Sequence, residues 1–352
     1  MGRLTTSVRK VIFIGIDFHK RSSTVTLGDR DGNVVQQAKL INDEQILRKF
    51  FAEYRGAKCA VESSRAFEWL VELLMELGLE VVVCHPRQVK LIAETAFKTD
   101  KRDSKILMML LAKDFLPTSY YATAEERALR ERLRWRVQLV RTVTRTKLRI
   151  HALLDKEHKG WNKKELFSKA GREYMAKVQL SGPRRALLDK AMRILNFVEG
   201  ELDCEERWIA EEVKRRPDAQ LLMTAPGIGQ LSALVLIAEL GNVSRFRRAE
   251  QVPAYLGMVP RESSSADVRR LGKITKQGSG LVRWLLVQDA WRAVDTDWQL
   301  KMKFAQVSKR RGRNVAVVGI ARRLSEIAYC ILRDKKPYSA ERLVKAQQAI
   351  LQ

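Results

Sequence analysis

Through the first 85 residues, apolar positions either alternate with polar ones or run together for a few residues between turn-forming clusters. "VIFIGIDF" (11–18), "SSTVTLGD" (22–29) and "VVQQAKL" (34–40) predict three consecutive strands, the last two separated by the tight-turn signal "RDGN". "EQILRKFFAEY" (44–54) has helical spacing, "KCAVESS" (58–64) reads as a strand, and "AFEWLVELLMELG" (66–78) as a helix. "LEVVVCH" (79–85) is again a strand, and a helical run covers Arg87 to Thr95. The period then lengthens. From Ala124 to about His158 apolar residues fall at 129, 133, 140, 143, 150 and 154, the stripe of one long helix. Residues 159–182 are less regular, 183–216 predict a second long charged helix, and "TAPGIGQLSALVLIAELG" (224–241) opens a third region.

The order β-β-β-α-β-α-β-α, a three-stranded meander feeding parallel strands, is that of the ribonuclease H-like topology. The fold expected is an α/β ribonuclease H-like domain over 1–120, a long helical, coiled-coil-like linker over 121–218, and a mainly α domain over 219–352. That topology gives certain acids a common address. Asp17 ends the first strand and Glu62 the fourth, and these strands are neighbours. Asp100 and Asp103 stand three apart at the start of an apolar helix, on one face. Four carboxylates converging there would hold one or two Mg²⁺, hard-oxygen chemistry suited to phosphoryl transfer. Each acid also has a plainer use: Asp100 as an N-cap, Asp103 as a first-turn acid favoured by the helix dipole, Asp17 in a turn and Glu62 paired with an arginine.

Charge narrows the partner. The chain of 352 residues carries 66 Lys and Arg against 41 Asp and Glu, a net +25 spread along its length. Such a field attracts polyphosphates, above all nucleic acid. No apolar run reaches the roughly 18 residues of a spanning helix, so a soluble, cytoplasmic protein is expected. Cys59, Cys84, Cys204 and Cys330 show no metal-ligand spacing and read as buried reduced thiols, and the four histidines carry no ligand pattern either. Residues 127–149 hold nine basic side chains and one acidic, an excess fitted to phosphates, with Arg134, Arg141 and Arg145 as the expected contacts. In "PGIGQLSA", Gly227 and Gly229 followed by Ala233 resemble a helix-hairpin-helix whose N–H groups face a DNA backbone, although a tight helix-helix turn explains the fragment equally well.

"RESSSADVRR" (261–270) sets Ser263, Ser264 and Ser265 among arginines, which composition alone would call a solvated loop. With Asp17 in "GIDFHK", Glu62 in "AVESS", Asp100 and Asp103 in "KTDKRDSK", and the block from "APGIGQLSALVLIAELG" through "GSGLVRWLL", the chain resembles the DEDD transposases of insertion-sequence family one-hundred-and-ten. These are relatives of the Piv DNA invertase and are described as bridge-RNA-guided recombinases. The resemblance implies a RuvC-like N-terminal domain with Asp17, Glu62, Asp100 and Asp103 as Mg²⁺ ligands. It also implies a nucleophilic serine five residues after the proline of "GMVP", here Ser265. The family pattern places glycine after that serine, whereas this chain has Ala266, and Ser264 is the neighbouring alternative. Arg261, Arg269, Arg270 and Lys276 would hold phosphates near it. The implied partners are donor and target DNA, a structured guide RNA and further copies of the chain in a dimer or tetramer.

Two other functions fit the residues. One is a RuvC-like nuclease that cuts structured nucleic acid with metal-activated water, the serines being loop filler. The other is a nucleic-acid scaffold in which the carboxylates are only caps and ion-pair partners.

Overall fold

The computed structural model describes residues 12–64, 66–92, 99–161, 165–262 and 271–340. The chain divides into two compact units, with the boundary between Tyr121 and Ala122.

In the first unit the three predicted strands form as β1 (Phe13–Phe18), β2 (Ser22–Gly28) and β3 (Val34–Ile41), followed by α1 (Glu44–Phe51), β4 (Lys58–Glu62), α2 (Glu68–Glu76), β5 (Glu80–Cys84), α3 (Pro86–Ile92) and α4 (Asp100–Ala112). The five-stranded mixed sheet runs β3-β2-β1-β4-β5. β1–β2 and β2–β3 are antiparallel, whereas β1–β4 and β4–β5 are parallel.

Alternation sorts the side chains of β1 onto two faces. Ile14, Ile16 and Phe18 join Val25, Leu27, Leu47, Phe51, Leu70 and Leu74 in a core. Gly15 and Asp17 face the other way, toward α4. Gly15 is what lets α4 approach: a Cβ there would overlap the Ser104 carbonyl oxygen and the Met108 backbone nitrogen. A buried bond between the Thr26 and Ser104 hydroxyls (2.8 Å) ties α4 to the sheet, and the Gln37 amide donates to the Lys101 carbonyl (2.9 Å).

The second unit opens with α5 (Ala124–Asp155), α6 (Lys169–Lys177) and α7 (Gly182–Arg215). Thr123 and Glu126 form a complete capping box at the start of α5. The buried stripe of α5 contains Leu139, with Val140 only half-buried, a shift of one position from the sequence expectation within the same helical period. Leu139, Val143, Ile150 and Leu154 pack with Leu188, Leu195 and Val198 of α7 in a core of their own. Leu129 and Leu133 of α5 and Ile209 and Val213 of α7 instead join the large core of the remaining helices.

Those are α8 (Pro217–Leu222), α9 (Gln230–Leu240), α10 (Gln251–Tyr255), α11 (Gly280–Thr296), α12 (Trp298–Arg311) and α13 (Arg313–Asp334), with a small antiparallel pair, β6 (Pro260–Glu262) and β7 (Leu271–Ile274). This region is mainly helical. Among the described residues no helix is long and apolar enough to cross a membrane. The cysteines are free thiols, but only Cys59 and Cys84 are buried. Cys204 is exposed on α7, contrary to the expectation of four buried thiols, because it lies on the solvent side of that helix.

Candidate functional site: a carboxylate cluster under helix α4

Pairing of β1 with β4 runs from Phe13–Lys58 to Ile16–Val61, so the next step places Asp17 beside Glu62. Both belong to the face on which Gly15 and Ala60 meet α4. At the start of α4 the cap is Thr99, whose hydroxyl accepts from the Arg102 amide. Asp100 is therefore not the cap. Its carboxylate turns to the sheet, where His19 Nε2 lies 3.5 Å from Asp100 Oδ1 and 3.1 Å from Asp17 Oδ2. Lys39 Nζ approaches Asp100 from the rim at 3.8 Å.

Asp17 is buried, and its pKa is raised, first by that burial and then by the like charges of Asp103 and Asp100, with His19 pulling the other way. Glu62 acts in the same sense on Cys84, whose thiol is pushed up to about 12 chiefly by burial. The fold thus brings Asp17, Asp100 and Asp103 within electrostatic reach of one another, with Glu62 on the adjoining strand end.

Carboxylates gathered at a partly buried spot repel each other unless a cation joins them. The ligand atoms of Asp17, His19 and Asp100 all lie within 4.8 Å of one another, close enough to share one ion. The donor set is mostly hard oxygen, which fits Mg²⁺ or Mn²⁺, and the imidazole stands between the two carboxylates as a cation would. His19, Lys39 and Gly15 escape a reading of the sequence. Strand alternation alone would have put residues 17 and 19 on one side, but only the docking of α4 shows what they meet.

The other expected site residues are distributed as follows. Ser263, Ser264, Ser265, Ala266, Arg269 and Arg270 lie outside the described residues. The strands that flank them pair Pro260 with Ile274 and Glu262 with Leu271. Arg261 is exposed on β6, and Lys276, also exposed, takes a left-handed backbone with φ 56° just past β7. Gly227 has φ 81°, and a Cβ there would strike the Asp289 carbonyl of α11, so this glycine serves the packing of the α8–α9 turn. Gly229 is the N-cap of α9 and has open space around it.

The basic excess on α5 is largely answered across the helix pair, which corrects the expectation that it lacked acidic partners. Arg132 pairs with Glu205 (2.9 Å), Arg136 with Glu206, and Lys147 with Glu199 (2.8 Å), all on α7. Arg134 holds the buried Glu239 of α9 (2.9 Å), as does Arg130 (3.8 Å), so Arg134 has a structural partner. Arg141, Arg145 and Arg149 are exposed at four-residue intervals, a single stripe, and no ion pair engages them among the described residues.

Comparison with known proteins agrees at both ends of the chain. Residues 14–159 match a transposase family of the DEDD type, and residues 219–305 match the transposase IS116/IS110/IS902 family. A probable family 20 transposase of Pseudomonas aeruginosa is 28% identical over 342 residues, spanning 92% of this chain and 98% of that protein. The transposase for insertion sequence element IS1111A of Coxiella burnetii is 23% identical over 94% of this chain and 92% of its own length. A pilin gene-inverting protein of Moraxella bovis is 27% identical over 123 residues, 34% of this chain and 38% of that protein. With two family matches in order and relatives aligned along nearly the whole length, this chain is a transposase of the IS116/IS110/IS902 family with a DEDD N-terminal domain.

Proposed function

We propose that this transposase cuts and rejoins DNA strands at the carboxylate cluster, in a RuvC-like, ribonuclease H-like domain, with Asp17, Glu62, Asp100 and Asp103 holding Mg²⁺ and His19 beside them. The observation that carries this reading is the convergence on Asp17: two acids of α4, brought in over Gly15, raise the pKa of a third that the sheet has buried. When bound, the metal would polarise the scissile phosphate and stabilise charge on the attacking and leaving oxygens.

The nucleophile is Ser265. Its Oγ forms a bond to phosphorus as the bond to a deoxyribose oxygen breaks, and that oxygen takes up the proton the hydroxyl gives up. The phosphodiester energy stays in a phosphoserine link, so a second strand can displace the serine and be sealed without ATP. Exposed Arg261 on β6 and exposed Lys276 just past β7 suit phosphates, and Arg269 and Arg270 would add to them. The α8–α9 turn with Gly229 at the start of α9 is the helix-hairpin-helix, and Arg141 and Arg145 supply backbone contacts along α5. The DNA is selected by a bridge RNA, and the working form is a dimer or tetramer.

Covalent trapping on a DNA substrate tests this reading. A denaturation-resistant protein–DNA adduct should form with the native chain and with Ser263→Ala, and disappear in Ser265→Ala. Peptide mapping that places the link at Ser264 would move the nucleophile by one residue. Cleavage without any adduct would return the chemistry to metal-activated water.

A further inference from the structure

The chain from Trp298 to Ser325 contains eight Lys and Arg and not one Asp or Glu, a composition not used by the carboxylate site, the proposed serine nucleophile or α5. The segment is α12, the turn at Gly312 and most of α13. Gly312, with φ 83°, lets the two helices follow each other without a linker and pack together. Their junction, Lys309, Arg310, Arg311 and Arg313, is exposed, and none of these four has an ion-pair partner among the described residues. Arg322 and Arg323 do have one, since both hold Glu326, so even where an acid borders this surface the local balance stays positive.

Between α12 and α13 runs an open groove of about 960 Å³. Along its α12 side Trp298, Met302 and Gln306 stand one helical turn apart, with Lys303 next to Met302. Trp298 is 70% exposed and Met302 52% exposed, while Leu300 is the buried residue of the helix. Trp298 has no aromatic partner among the described residues, whereas the nearby Trp291 is stacked edge-on with Phe304 and covered by Arg313. A large indole face left to solvent beside a thioether, at the edge of a dense basic surface, is the pairing that single-stranded nucleic acid exploits. Flat apolar groups receive unstacked bases, and cations follow the phosphates. A duplex would use the cations but not the indole, because its base faces are already stacked.

We infer that the α12–α13 groove, with Trp298 and Met302 as its stacking platform and Lys303, Lys309, Arg310, Arg311 and Arg313 as its cationic rim, binds a single DNA strand parted from its duplex. The choice of DNA rests on the proposed function, since cutting and exchanging strands frees them from their complements. At about 1.5 Å rise per residue, the 14 residues of α12 span roughly 20 Å, room for three or four nucleotides.

The test uses the full chain without divalent cation, so that no cleavage intervenes, and fluorescence anisotropy with three probes: a 12-nucleotide thymidine oligomer, a 12-nucleotide uridine oligomer and a 12-base-pair duplex. Trp298→Ala should weaken the thymidine oligomer about tenfold, leave the duplex within twofold, and be largely restored by Trp298→Phe. Replacing Lys309, Arg310 and Arg311 by Gln should lower the salt slope for the oligomer by about 0.7 for each phosphate no longer neutralised. Photocrosslinking of a 4-thiothymidine oligomer should mark the peptide that begins at Trp298. An unchanged oligomer affinity in Trp298→Ala, an equal loss on the duplex, or crosslinks elsewhere would overturn the inference. Tighter, Trp298-dependent binding of the uridine oligomer would overturn the assignment to DNA. Failure of the carboxylate chemistry is separate: it would appear as cleavage surviving in Asp103→Asn, with these binding results unaffected.

Discussion

Two parts of the molecule concentrate charge of one sign, and the fold treats them in opposite ways. Under α4, Asp17, Asp100 and Asp103 are brought together against their mutual repulsion, with the His19 imidazole between Asp17 and Asp100 and Lys39 at the rim. Along α5, Arg132 and Arg136 each meet a glutamate of α7, and Arg130 and Arg134 share Glu239 of α9. In the linear chain Asp100 and Asp103 look like the arginines of α5, charges of one sign at helical spacing. In the fold, the answered charges are architecture, worth about 0.2–1 kcal/mol per exposed pair. The acids drawn together repel one another, a repulsion that the proposed cation would offset.

The largest effects should come from breaking the acidic side of that contrast. Asp17→Asn, Glu62→Gln and Asp103→Asn should each lower strand cleavage at least about a hundredfold, with DNA affinity within a few-fold. A variant that cleaves normally removes its residue from the site. Next is the unanswered end of α5. Replacing Arg141, Arg145 and Arg149 by Gln should reduce the log–log salt slope of duplex DNA binding by about 0.9 for each phosphate left without its arginine, with thermal stability unchanged. An unaltered slope would show that these three touch no phosphate.

Asp289 sharpens the comparison from a third position, as a buried carboxylate outside any acidic cluster. One oxygen accepts from the Ser232 hydroxyl (3.0 Å), and the other has no hydrogen-bond partner among the described residues. Burial raises its pKa to about 6, only partly countered by Ser232 and Arg292. The folded chain therefore holds this proton more tightly than the unfolded one. The contribution to stability is full below the unfolded value of about 3.9, and is lost as pH rises through about 6. Asp289→Asn should thus gain stability at pH 7.5, up to about 2 kcal/mol, and show no gain at pH 4, as read by denaturant melts. The smallest effect belongs to the answered charges. Arg132→Gln and Arg136→Gln should each cost about 1 kcal/mol or less and leave the salt slope of DNA binding where it was.

The sheet was legible because alternation and turn residues state it directly: "RDGN" makes the β2–β3 turn, and Asp17 and Glu62 fall at strand ends by simple counting. The pairing of Asp100 with Asp103 followed from helical spacing. What sequence could not show depends on docking. Gly15 has no local signature, since its role is set by α4 resting on it. His19 stands out only when Asp100 is seen opposite. The glutamates that answer the arginines of α5 lie some 70 to 110 positions away in the chain, so the arginines looked unpaired. Gly227 likewise fits its expected turn, but it owes its lack of a side chain to the backbone of α11.

Everything proposed for the chemistry depends on one divalent cation site built from the end of β1 and the start of α4. Substituting Fe²⁺ for the native ion and generating hydroxyl radicals in place maps such a site by where the backbone is cut. Cuts should fall around Asp17 and around Asp100 to Asp103, suppressed by excess Mg²⁺ and absent in Asp103→Asn. Cuts confined to other segments, or cuts that persist unchanged in Asp103→Asn, would contradict the site.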